Sequence, residues 1–176
     1  MALLHSFPPL LGDAPRTLIL GSMPGAASLR AGEYYAHRQN RFWPLMGALV
    51  GASPDLDYAR RCARLTGAGI ALWDVLAHCE REGSLDSAIR DDTAHPNDFA
   101  SLFRRHPTIG TVLFNGAKAE TSFLRLVAPL LASEPGITAL PRRRLPSTSP
   151  ANASQSAEHK LAEWREALRS GGIVTL

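Results

Sequence analysis

The chain has 176 residues, 45% of them hydrophobic and 20% charged. That is enough to build one domain around a packed core, and too apolar for a disordered chain. The formal net charge of +3 is compatible with a polyanionic partner without requiring one. Two cysteines, Cys62 and Cys79, at no CxxC spacing exclude a four-cysteine zinc or iron–sulfur site. With no leader-like start and no membrane-length apolar run, the sequence predicts a cytoplasmic protein that needs no metal or organic cofactor.

The first buried strand is expected at "TLILGS" (17–22), short and nearly continuous in apolar residues, as in parallel strands covered on both faces. The "GSMPGAAS" turn follows. Gly21, Ser22, Met23 and Pro24 form its bend, whose backbone amides are candidates to meet an anion or a carbonyl-rich ring. The turn is no phosphate-binding P-loop, because no GK[ST] follows it. "YYAHRQNRFW" comes next. Tyr34 or Tyr35 is a candidate to stack on a flat base. Asn40 either caps the helix starting near Arg41 or uses its carboxamide to bind a water or a base edge. Phe42, Met46, Leu49 and Val50 then mark one face of that helix.

A helix at 56–65 leads to a second strand, "GIALWDV" (69–75). Asp74 in it reads as a structural acceptor, or else as a group that orients a water or acts as a base. A helix over 97–106, with Asn97 as its cap, precedes the third strand, "TVLFNG" (111–116), which ends on Asn115. A helix over 118–131 and a fourth strand, "GITALPR" (136–142), follow. The "PRRRLPSTSPAN" stretch (141–152) reads as a loop. Its Arg142, Arg143 and Arg144 suit phosphate neutralisation, and Ser147 and Ser149 suit donation to phosphate oxygens. Pro150 and Ala151 suit a wedge between bases. A last helix spans 154–170 and stops at Gly171-Gly172. Alternating strands and helices imply a parallel sheet between helical layers, which binds ligands beyond the carboxyl ends of its strands. The polar stretches follow those ends, which predicts a single cleft.

Read together and in order, "LILGSMPGAASL", "YYAHRQNRFW", "GIALWDVL", "GSLDSAIRDD", "VLFNGAKA" and "LPSTSPANA" resemble the uracil-DNA glycosylase superfamily. The nearest branch is the deoxyinosine (hypoxanthine-DNA) glycosylases, close to the mismatch-specific uracil/thymine glycosylases. The resemblance implies a single domain over 1–176. Its fold would be α/β, a three-layer α/β/α sandwich around a short, mostly parallel four-stranded sheet. It implies hydrolysis of the N-glycosidic bond of a deaminated base flipped out of damaged DNA, with hypoxanthine preferred, by a monomeric, monofunctional enzyme. By position, Asn40 inherits the catalytic role. Gly21, Ser22, Met23, Pro24, Tyr34, Tyr35 and Asn115 fall to the base, and Arg142, Arg143, Arg144, Ser147, Ser149, Pro150, Ala151 and Asn152 to the DNA. The chain departs from the pattern at Met23, where mismatch-specific relatives carry asparagine. It departs again at Leu145, where relatives often carry a histidine that stabilises the leaving base. These departures keep a non-catalytic damage-binding protein in view, and a nucleoside hydrolase using the same cleft is a further alternative. Lys118, near a strand end, is the one lysine positioned for a Schiff base and reads as a surface charge.

Overall fold

A computed structural model describes residues 2–176. In chain order, β1 (Leu3–His5) and β2 (Thr17–Gly21) lead to α1 (Ala26–Ala31), α2 (Phe42–Val50) and α3 (Tyr58–Gly67). Next come β3 (Ile70–Asp74), β4 (Leu76–Glu80) and β5 (His95–Pro96), then α4 (Phe99–Arg105), β6 (Thr111–Asn115) and α5 (Ala117–Ser122). The chain closes with α6 (Pro135–Thr138), β7 (Arg142–Leu145) and α7 (Ala157–Ser170).

The central sheet has four strands in the order β3-β2-β6-β7, all parallel. Side chains alternate across it with the period of two that a strand imposes. Leu18, Leu20, Ala71, Trp73, Val112 and Phe114 enter one core, with Phe99, Leu102, Phe103 and Phe123. Ile19, Leu72, Leu113 and Leu145 enter the other, with Phe42, Met46, Leu49, Leu65, Trp164 and Leu168. Each face is covered, which is why the strands read as continuous apolar runs rather than alternating ones. The expected three-layer α/β/α arrangement is the one observed.

Three expectations about elements are corrected. The fourth strand is not 136–142. Residues Pro135–Thr138 form a short helical turn with proline in its first turn, and the strand is Arg142–Leu145. β7 has β6 as its only neighbour, so its arginines reach water while Leu145 alone packs into the core. The helix over 118–131 is broken: α5 gives way to a π turn at Phe123–Val127 and a 3₁₀ turn at Ala128–Leu131. Pro129 has no amide to donate, so a regular helix cannot run through it. The cap of α4 is Asp98, whose carboxylate accepts from the Ser101 amide, and not Asn97. Asn97 instead donates from Nδ2 to the Asp74 carbonyl at 2.8 Å.

A second, antiparallel sheet of three strands, β1-β4-β5, was not anticipated. After β3 the chain passes through Val75 and continues at once as β4. Val75 and Leu76 also donate back to the Gly21 and Ser22 carbonyls, at 2.8 and 3.1 Å. The small sheet thereby ties the turn after β2 to the end of β3.

Candidate active site

The register aligns Gly21 with Asp74 and Asn115 with Leu145. The four strands therefore end on Gly21, Asp74, Asn115 and Leu145 at one edge of the sheet. A cleft of about 1090 Å³ opens over that edge. It is the single hollow that the parallel sheet predicts.

The turn after β2 forms one wall. Its carbonyls are held from behind: Gly21 by Val75, Ser22 by Leu76 at the start of β4, and Pro24 by Nη2 of buried Arg81 at 2.6 Å. The Ser22 hydroxyl donates to Asp86 Oδ1 at 2.5 Å. The Ser22 and Met23 amides make no hydrogen bond among the described residues, and both residues border the cleft. Fixed carbonyls and unspent amides make this bend a donor site.

Tyr34 and Tyr35, interchangeable in the sequence, separate in the structure. Tyr34 is core: its hydroxyl donates to the Pro8 carbonyl at 2.7 Å, and its own carbonyl accepts from Trp43 Nε1 at 2.8 Å. Tyr35 has a positive φ of 54° and lies over Phe42, ring centroids 4.2 Å apart. Its buried hydroxyl has no hydrogen-bond partner. Burial, then the neighbouring Asp74, pushes that hydroxyl far above its ordinary range, so it stays protonated. Of the two tyrosines, the second is the one with unspent capacity at the cleft.

Asn40 also borders the cleft. Its Oδ1 accepts from the Phe42 amide at 2.9 Å, so it does secure the start of α2, one residue before the formal cap at Arg41. Its Nδ2 has no partner among the described residues. The cap reading and the ligand reading therefore use different atoms of one carboxamide.

The segment after β7 forms the facing wall, and its main chain is held at Pro146, Ser147, Thr148 and Asn152. Trp164 Nε1 donates to the Pro146 carbonyl at 3.0 Å. Buried Lys160 donates to the carbonyls of Ser147 at 3.0 Å and Asn152 at 2.6 Å. The Arg41 amide donates to the Thr148 carbonyl at 2.9 Å, which joins this loop to the neighbour of Asn40. Asn115 bonds the Thr148 amide through Oδ1 and the Thr148 hydroxyl through Nδ2, each at 2.9 Å. The carboxamide expected to meet a base is thus engaged in aiming this loop. Gly116, at φ 93°, gives the loop room, since a Cβ there would lie 3.0 Å from Ser147 Cβ. Ser147 and Ser149 use their hydroxyls on local amides. Asn152 closes the loop on the Ser147 carbonyl, and Pro150 and Ala151 stand exposed at its tip.

The three arginines part company because they sit on a strand and not in the expected loop. Arg144 borders the cleft and lies 3.7 Å from Glu120. Arg143 points to the α7 side and pairs with Glu166 at 3.3 Å. The Arg142 guanidinium lies over Phe123, 5.8 Å from the ring centroid. Neither Arg142 nor Arg143 borders the cleft.

Asp74 is what the sequence reading undervalued. Of its two readings, the structural acceptor does not hold: its side chain makes no hydrogen bond, and Oδ2 is buried without a partner. The residue is 4% exposed and lines the cleft. Burial first, and Asp86 second, push its carboxyl up to about 7, against a smaller opposing pull from Arg81. A lone Asp in an otherwise apolar strand was the available signal. Lys118 borders the cleft too, but its ammonium bonds Asp91 Oδ1 at 2.7 Å.

Among the described residues no cluster of metal-ligating side chains occurs, and no helix is long and apolar enough to cross a membrane. The family description "Uracil DNA glycosylase superfamily" matches residues 8–170. A hypoxanthine DNA glycosylase of Methanosarcina acetivorans is 36% identical over 166 residues, 94% of this chain and 98% of that one. One from Methanosarcina barkeri is 39% identical over 116 residues, 65% of this chain and 72% of that one. A candidate uracil DNA glycosylase from Methanosarcina acetivorans, solved by NMR in solution, superposes with a TM-score of 0.77 at 33% identity, over 97% of this chain and 99% of that one.

Proposed function

The chain belongs to the uracil DNA glycosylase superfamily, and from that premise we propose that it excises hypoxanthine from deoxyinosine in DNA, as one monomeric domain. The single observation that carries this reading is the convergence on one cleft of the donor-bearing 21–24 bend, the half-free carboxamide of Asn40 and the anchored 146–152 loop. The hypoxanthine preference rests on the two Methanosarcina relatives, both named hypoxanthine DNA glycosylase.

A base inside a duplex is out of reach, so the nucleotide leaves the stack first. The exposed Pro150–Ala151 tip fills the gap, and Arg144 meets a backbone phosphate beside it. The cleft, at about 1090 Å³, is at or above the roughly 300–1,000 Å³ of pockets for free small molecules. That size suits a base with its attached strand better than a free nucleoside. Tyr35 lies along the extruded base, while the Ser22 and Met23 amides donate to its carbonyl or ring nitrogens. As the C1′–N bond stretches, positive charge grows on the sugar and negative charge on the base. Preorganised donors stabilise the latter, each worth about 3 kcal/mol of barrier, or roughly a hundredfold in rate. Asn40 Nδ2 holds the water for attack on C1′. The path is dissociative, so the water needs placing more than deprotonating. With Lys118 paired and Lys160 engaged on two carbonyls, no free lysine amine faces the cleft for a Schiff base. The abasic strand is therefore left uncut.

The test is a panel of duplexes carrying deoxyinosine, uracil or thymine opposite each normal base, treated with alkali after incubation. Release of hypoxanthine with little uracil is the expected result. Dominant uracil release favours the second reading, a uracil enzyme, which the NMR relative's description supports. Tight lesion binding with no release refutes an enzymatic role.

A further inference from the structure

Two buried polar groups face this cleft with nothing to bond: Asp74 Oδ2 and the Tyr35 hydroxyl. Folded proteins leave few such groups, because each costs the solvation it has lost. They sit side by side. A methyl group placed on Gly21 would collide with Asp74 Oδ1 and would lie 2.9 Å from the Tyr35 hydroxyl. Only glycine leaves room for a ligand atom beside Asp74 Oδ1 and the Tyr35 hydroxyl.

Resting on the glycosylase reading above, we propose that Asp74 is a catalytic residue, whose neutral carboxyl passes its proton to the departing base. The surroundings favour the neutral form. The carboxyl is almost fully buried, no hydrogen bond stabilises its anion, and the Asp86 carboxylate lies nearby. Arg81 is the opposing charge, but it is turned to the Pro24 and Gly83 carbonyls. Tyr34 and Tyr35 are held protonated by burial. His37, Lys118, Arg144 and Glu163 complete the titratable lining of the cleft, with Lys118 paired to Asp91. Phosphates arriving with DNA add negative charge and hold the proton more firmly.

The role is one the cleft otherwise lacks. Leu145, where a donor to the leaving base would be expected, is buried in the core. As the C1′–N bond breaks, its electron pair moves into the base. The Asp74 proton goes to a ring nitrogen of the base, and water oxygen bonds C1′. The proton that water loses returns the carboxylate to its neutral form. The products are the neutral base and an abasic hydroxyl.

Single-turnover rates on a deoxyinosine duplex, measured from roughly pH 6 to pH 9, test this. Wild-type rates should fall above a midpoint no lower than about 7, approaching tenfold per pH unit. Asp74→Asn keeps the shape and loses the transferable proton. It should be slower by roughly a hundredfold at the acid end and flat above it, and Asp74→Glu should restore the falling limb. Asp86→Asn removes the neighbouring charge and should move the limb to lower pH. An Asp74→Asn profile that parallels the wild type, at the same or a uniformly lower rate, overturns the proposal. Absence of base release by the wild type from every lesion duplex overturns the glycosylase reading itself. Activity that survives Asp74→Asn unchanged overturns only the role of Asp74.

Discussion

Asp74→Asn should make the folded protein more stable, and increasingly so as the pH rises. In the folded chain the carboxyl titrates at about 7 instead of 3.8. Below about pH 4 the group is neutral whether the chain is folded or not, and it costs nothing. Between about pH 4 and pH 7 the unfolded chain releases the proton while the folded chain keeps it, so stability falls as the pH rises. Above about pH 7 the penalty is complete. At about 1.4 kcal/mol per pKa unit, the displacement from 3.8 to about 7 amounts to about 4 kcal/mol. Asparagine has no proton to release, so the variant loses this slope. Urea unfolding of both proteins across that range, by circular dichroism, reads the difference directly, since other titrating groups largely cancel. The stability gap should widen by about 4 kcal/mol from acid to neutral pH and then level off. A gap that stays constant with pH would refute the claim that burial holds the proton on this carboxyl.

Three further outcomes are expected. Asn40→Ala should slow base release by about a hundredfold or more, because the water loses its placement. It should also cost about 1 kcal/mol of stability for the lost acceptor at the Phe42 amide, so chemical rates and melting must be read together. Arg144→Ala should lower the slope of log affinity against log salt for duplex binding by about 1. Arg142→Ala, at the opposite end of the strand from the cleft, should leave it unchanged. Lys160→Met should strip the Asn152 carbonyl of its donor, at about 1–3 kcal/mol for an acceptor left unpaired, and leave the Ser147 carbonyl with only the longer bond from Asn152 Nδ2. Weaker DNA binding with unchanged single-turnover chemistry at saturation is the expected signature.

The central strands were legible because burial on both faces leaves an unbroken apolar run, and β2, β3 and β6 fell where those runs are. β7 was not, because an edge strand needs one buried face at most. Three consecutive arginines can satisfy it as long as Leu145 reaches the core. The antiparallel β1-β4-β5 sheet was hidden by strands of three, five and two residues, too short for a period to declare itself. At the cleft, the 21–24 bend and Asn40 were expected from their place after a strand, and both border it. The division of labour within the site was not. Whether Tyr34 or Tyr35 is spent, whether Asn115 meets a base or Thr148, and whether Asp74 has a partner depend on contacts between residues far apart in sequence. No local pattern encodes them.

The anchoring of the 146–152 segment has a consequence for how the protein meets its substrate. Trp164, Lys160 and Arg41 grip its main chain, Asn115 holds both the amide and the hydroxyl of Thr148, and the tip at Pro150 and Ala151 takes no part in that grip. The shape of the rail is set when the chain folds, and little ordering is left for the moment of association. The two tip residues are therefore exchangeable parts. Others could be fitted there, altering which distortions of a duplex are tolerated, with the backbone path beneath them unchanged.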